Sequence, residues 1–371
     1  MKILVIGRTL DRPESRIILG LHERGHKLLI LTESEGQYVG DLRRAGVRAE
    51  YFRVAHRLDL AAMVRLRRLV RQERINVVYA LSNAALSAAN VGLVGLPARI
   101  VAYRGTVGNL SWLDPFCWLT FLNPRISRVV CVSKAVERYL LGLGLPHRRV
   151  ATIYKGHDPS WYQGTSPTTR RELGIPEDAF VLGCTAVIRP GKGVEVLLRA
   201  CAALAAELPN LHLLLVGSIK YPLVESLFRS FPARERLHLT GFRQDAARLA
   251  PLMDVSVLCS TRGEGFPKSV VEAMVQGVPV IVSSLAGLPE LVGNGEAGVL
   301  VPPGDAATLA DAIRQLALDP GRRATLAEAG RKRVVERFRV QDSILQMHRL
   351  FSSVLLEEVP DRYPASLVSG T

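Results

Sequence analysis

Short apolar runs alternate along the whole chain with longer stretches in which apolar residues recur every three or four positions. A strand followed by an amphipathic helix, many times repeated, predicts a parallel sheet covered by helices. In the first half the runs fall near 2–6, 27–31, 76–80, 99–103, 128–132 and 150–153. The pattern pauses in the Pro-, Ser- and Thr-rich stretch from Asp158 to Thr169, which suits a linker. It restarts with runs over Phe180–Cys184, Leu211–Gly217, Leu237–Leu239, Val255–Leu258, Val278–Val282 and Gly298–Val301. Two doubly wound α/β domains are therefore expected, over residues 1–160 and 161–340, followed by a helix over 341–358 and a flexible tail over 359–371.

A length of 371 residues agrees with two domains, and 48% hydrophobic against 22% charged residues gives each a full core. The first apolar run ends at Gly7 and is too short for a signal peptide, and no window reaches the roughly 18 apolar residues of a membrane span. Five cysteines, Cys117, Cys131, Cys184, Cys201 and Cys259, lack CxxC spacing and sit mostly in apolar stretches. They read as reduced core residues of a cytoplasmic protein. The net charge of +14 is unevenly placed: residues 1–158 hold 25 Lys and Arg against 12 Asp and Glu, whereas the remainder holds 23 against 22. An anionic partner met by the first domain accounts for that asymmetry.

In doubly wound sheets ligands bind beyond the carboxyl ends of strands, so chemistry is sought just after the apolar runs. One such segment runs from Ser260 to Met274: a Gly-bearing loop with Glu264, then Gly265-Phe266-Pro267-Lys268-Ser269, then a helix with Glu272. Pro267 suits the first helical position, and the helix amino terminus offers N–H groups and a dipole to a diphosphate. A second segment, Val187 to Leu198, places Arg189 and Lys192 on a Gly-flexed loop, where two cations can neutralise a leaving diphosphate. Taken alone, these charges read more readily as solvated surface.

Glu264 and Glu272, with seven residues between them, resemble the EX7E motif of the GT4 glycosyltransferases, a family with the GT-B fold of two Rossmann-like domains about a central cleft. The resemblance implies that Glu264 contacts the donor sugar, that Glu272 accepts from the ribose hydroxyls, and that Arg189 and Lys192 hold the donor phosphates. It also implies nucleobase contacts from the backbone at Gly241-Phe242, and a last helix that crosses back to the first domain. The commoner family loop has an Arg where this chain has Val187, so Arg189 resembles a variant arrangement. Retention of anomeric configuration follows from the resemblance alone.

The first domain departs further from the family. Gly7 is followed by Arg8 instead of a second glycine, and Ala102-Tyr103-Arg104 occupies the stretch where members often carry a histidine. Arg104 stays protonated, so it anchors an anionic acceptor or phosphate, or forms a structural ion pair. A basic helix from Leu60 to Arg74, near the aromatic-dense stretch 110–122, suits a lipid-linked acceptor or an anionic membrane surface, or a plain solvated face. No acidic pair is placed for a metal, so none is expected, and no cofactor beyond the nucleotide-sugar donor. Nucleic-acid binding has no supporting motif. The alternatives are a non-hydrolysing nucleotide-sugar 2-epimerase and a non-catalytic GT-B binding protein. A nicotinamide oxidoreductase is disfavoured by the lack of GxGxxG after the first strand.

Overall fold

The computed structural model describes residues 1–164, 166 and 168–357. The tail expected over 359–371 lies outside the described residues. The chain divides into two compact units, one of residues 1–156 with those from 340 onward, the other of residues 157–339.

The first unit carries a seven-stranded sheet built from β1 (Lys2–Gly7), β2 (Lys27–Thr32), β3 (Arg48–Tyr51), β4 (Val77–Ala80), β5 (Arg99–Arg104), β6 (Ile126–Cys131) and β7 (Val150–Thr152). Its order is β3-β2-β1-β4-β5-β6-β7, and every pairing is parallel. Strand β3 has no counterpart among the expected runs. It is an edge strand of sequence Arg-Ala-Glu-Tyr with both ends exposed, so it shows no apolar run to read. The final helix, Val340–Leu356, packs on helix Arg12–Glu23 and completes this unit.

The second unit carries β8 (Phe180–Thr185), β9 (Leu211–Val216), β10 (Leu237–Leu239), β11 (Val255–Leu258), β12 (Val280–Ser283) and β13 (Val299–Val301) in the parallel order β10-β9-β8-β11-β12-β13. The inner strands β8, β9, β11 and β12 are buried on both faces, which is why they read as nearly continuous apolar runs, whereas β10 and β13 at the edges are partly exposed. The stretch read as a linker enters the body of this unit. A turn over Pro159–Tyr162 buries Tyr162, whose hydroxyl lies 2.6 Å from His157 Nδ1, and the His157 N–H donates to Phe338 O at 2.7 Å. Those contacts put the unit boundary at 156/157 instead of 160/161. All five cysteines are buried and free.

Two largely buried polar clusters sit in the first unit. Lys155 Nζ donates to Asp11 Oδ2 at 3.0 Å and to Glu14 Oε1 at 2.6 Å, and Asp11 and Glu14 form the capping box of helix Arg12–Glu23. The other is His26 Nε2 against His348 Nδ1 at 2.8 Å. Burial, with the nearby amino terminus and His348, pushes His26 down to about 4. An unfolded histidine titrates near 6.5, so between those values the unfolded chain binds the extra proton and the contribution is lost as pH falls. Lowering the pH from 7 to 5 is expected to cost about 2 kcal/mol at this site. Urea unfolding of the protein and of His26→Gln at the two pH values checks it, since equal pH sensitivity in both would refute the assignment.

Candidate functional site

In a doubly wound sheet the strand order reverses at a switch point, and the loops leaving the two strands there splay apart to form a crevice. In the second unit the reversal falls between β8 and β11, which are neighbours in the sheet. The loop after β8 carries Arg189 and Lys192, and the loop after β11 carries Glu264. Residues 72 positions apart in sequence thus meet: Lys192 Nζ forms an ion pair with Glu264 Oε1, both side chains mostly buried.

The two loops are fastened at several points. Thr261 N–H donates to Gly191 O at 3.0 Å, and Cys259 Sγ donates to Gly193 O at 3.0 Å. Gly193 has φ of +71°, and a Cβ there would lie 1.8 Å from Cys259 O, so only glycine lets the basic loop approach this closely. Ser260, fully buried, donates its hydroxyl to Glu264 Oε1 at 3.0 Å, while Gly287 N–H donates to Glu264 O at 3.1 Å. Glu264 is therefore oriented from both its carboxylate and its backbone.

Helix Lys268–Val275 follows. Pro267 has helical φ (−73°) but extended ψ (121°), so it is the residue before the helix and not its first turn, and it supplies no side-chain cap. The amino-terminal end of this helix carries the positive pole of its dipole. Lys268 is exposed, Ser269 half-buried, and Glu272 half-buried on the second turn. Gly265, Phe266 and Pro267 are buried, and Phe266 packs edge-on against Phe338 at 5.0 Å, so its ring shapes the loop from within. Arg189 is exposed at the start of the turn whose Lys192 N–H returns to Arg189 O at 3.2 Å. Gly241 has φ of +70°, and Phe242 beside it is 74% exposed.

Residues 165–333 match the family model for glycosyl transferases group 1, and residues 16–161 match that for Glycosyltransferase Family 4. The chain belongs to the GT4 glycosyltransferases. The family assignment selects sugar transfer over the epimerase and oxidoreductase alternatives. Among relatives, this GT4 glycosyltransferase is 26% identical over 308 residues to the N-acetyl-alpha-D-glucosaminyl L-malate synthase of Bacillus anthracis, covering 81% of this chain and 80% of that one. It is 30% identical over 182 residues to the capsular polysaccharide biosynthesis glycosyltransferase CapM of Staphylococcus aureus, covering 48% of each. The fold, GT-B, is shared with Anabaena Alr3699/HepE, solved in complex with UDP, at a TM-score of 0.79, 23% identity and coverage of 95% of this chain and 100% of that one.

In the first unit of this glycosyltransferase the switch point falls between β1 and β4. Gly7 closes β1 against Leu81, whose Cβ would lie 2.9 Å from any Cβ at Gly7. Arg8 is exposed and lies 3.8 Å from Glu33. Arg104 is turned inward: 5% exposed, it lies over the Phe121 ring at 4.7 Å, and its guanidinium donates to Thr106 O at 2.9 Å and to Gly108 O. Burial lowers its pKa, yet it remains a cation that holds the loop after β5 in shape. Among the described residues these carbonyls, and not a carboxylate, are its hydrogen-bond partners, so the expected ion pair is not formed. Sequence reasoning did not single out Ser260 as a partner of Glu264. Its signal was its place immediately after a strand run, four residues before the glutamate.

Proposed function

We infer that this glycosyltransferase moves a sugar from a UDP- or GDP-sugar to a lipid-linked or polysaccharide acceptor, with retention and without a metal ion. The Lys192–Glu264 pair at the switch point supports the reading, because it brings together a cation suited to a phosphate and a carboxylate suited to sugar hydroxyls. In the proposed reaction the donor diphosphate takes Lys192 from Glu264, and Arg189 with the start of helix Lys268–Val275 adds positive potential. Glu264, held by Ser260, is freed to bond the donor sugar, and Glu272 receives the ribose. The anomeric carbon–oxygen bond to the β-phosphate breaks as the acceptor oxygen bonds the same face. The acceptor proton passes to the departing phosphate oxygen.

Support for a uracil nucleotide comes from the UDP of the Anabaena structure, and for a glycan acceptor from the capsular relative. The malate in the name of the Bacillus anthracis relative supports an anionic acceptor as well. Thermal unfolding with UDP, GDP and ADP tests the reading. A ligand at one hundred times its Kd adds about 2.7 kcal/mol to the native state, so UDP or GDP is expected to raise the Tm while ADP does not. No shift with any of the three overturns the assignment.

A further inference from the structure

Six large apolar side chains of the first unit project into solvent in one region: Leu58, Leu60, Val64, Val94, Leu113 and Phe116, with exposures from 44% to 94%. Leu60 and Val64 are one turn apart on helix Leu60–Glu73, whose opposite face buries Met63, Leu66 and Val70. That helix crosses helix Asn83–Gly92 at Met63 and Gly92, where a Cβ on the glycine would lie 2.9 Å from Met63 O. Arg67 bonds the carbonyls of Gly92 and Val94, which brings Val94 beside the same crossing. Arg57 lies over the Phe116 ring at 5.7 Å and joins Leu113 and Phe116 to the group. These contacts make the segments that bear the six side chains neighbours on one face.

Its charge is predominantly positive. From Tyr51 to Phe116 there are nine arginines, of which Arg104 is turned inward, and three acidic residues, Asp59, Glu73 and Asp114, the last capping the short helix of Phe116. Asp59 caps its helix by accepting from Ala62 N–H and Ala55 N–H, and Glu73 is paired with Arg48 and Lys2. Arg53, Arg65, Arg68 and Arg71 stand exposed around the apolar side chains. A second copy of the chain is a poor occupant, because a two-fold interface would set arginines against arginines. An anionic bilayer fits both halves of the surface: lipid phosphates for the guanidinium groups, and the acyl boundary for the leucines and valines.

We propose that this face docks the enzyme peripherally on an anionic lipid surface. Among the described residues no helix is long and apolar enough to cross a membrane, and the surface rests on the interface without spanning it. The assignment is independent of the transfer reaction, since it concerns attachment and not turnover. The test is co-sedimentation of the full chain with vesicles of phosphatidylcholine alone or with about one-third phosphatidylglycerol. Binding is expected only to the anionic vesicles, and to fall about tenfold or more when the salt is raised well above physiological strength. The triple variant Leu60→Ala, Val64→Ala, Leu113→Ala and the separate charge swap Arg65→Glu, Arg68→Glu, Arg71→Glu are each expected to cut binding by about tenfold or more. Leu239→Ala with Leu318→Ala, exposed in the other unit, leaves it unchanged. Equal binding to neutral vesicles, no binding to anionic ones, undiminished binding by both patch variants, or a dimer that the patch variants dissolve would each overturn the proposal.

Discussion

Lys192→Ala and Glu264→Ala are each expected to lower kcat by about 10²–10³-fold, the usual cost of losing one charge-stabilising group at a reacting centre. Because the two side chains pair in the resting protein, each single change also strands a mostly buried partner charge and weakens the fold. The double variant separates the two effects. Its stability should lie closer to that of the unaltered protein than either single variant's, since no charge is left unpaired, whereas its activity should stay at the level of the worse single change. Donor hydrolysis and thermal unfolding of all four proteins complete the cycle. A double variant that regained activity along with stability would show the pair to be structural, and the proposed site would be lost.

Lys155→Met is expected to destabilise the first unit by about 3–5 kcal/mol, because it leaves Asp11 and Glu14 as largely buried carboxylates without their cation. Burial by itself opposes the Lys155 charge, but Glu14, Tyr103 and Asp11 hold its pKa well above the ordinary lysine value. A raised lysine contributes fully below the unfolded value near 10.4 and fades only as pH climbs through the folded one, so the ammonium is in place throughout neutral pH. In the variant the deficit should shrink as pH falls toward the carboxylate range, where protonation removes the stranded charges. Hydrogen exchange of the helix Arg12–Glu23 amides reads the change directly. A loss under about 1 kcal/mol would mean that the cluster is solvated.

The division into two parallel sheets was legible because their central strands are buried on both faces and so appear as uninterrupted apolar runs. Strand β3 was not, since an edge strand of Arg-Ala-Glu-Tyr has one neighbour and needs no apolar face. The residues of the two loops after β8 and β11 could be named from sequence, but not the bond between Lys192 and Glu264. That contact depends on β8 and β11 being adjacent, which is a property of sheet order and not of any local pattern. Arg104 shows the converse limit. Its sequence neighbours gave no hint that the carbonyls of Thr106 and Gly108, two and four residues on, would satisfy it inside the fold. Pro267 was misplaced by one residue for a plainer reason: its φ suits either the helix or the step before it, and ψ decides.

Gly193 and Cys259 weld the arms of the switch point together, with Thr261 and Gly191 as a second rivet. In the proposed reaction, a shift of the basic arm on donor binding is passed to the acidic arm through these bonds. The two behave as one jaw, and grafting either segment alone from another scaffold would import a mismatch at the weld. Altered donor preference in this chain calls for exchanging residues 186–193 and 259–267 as a set.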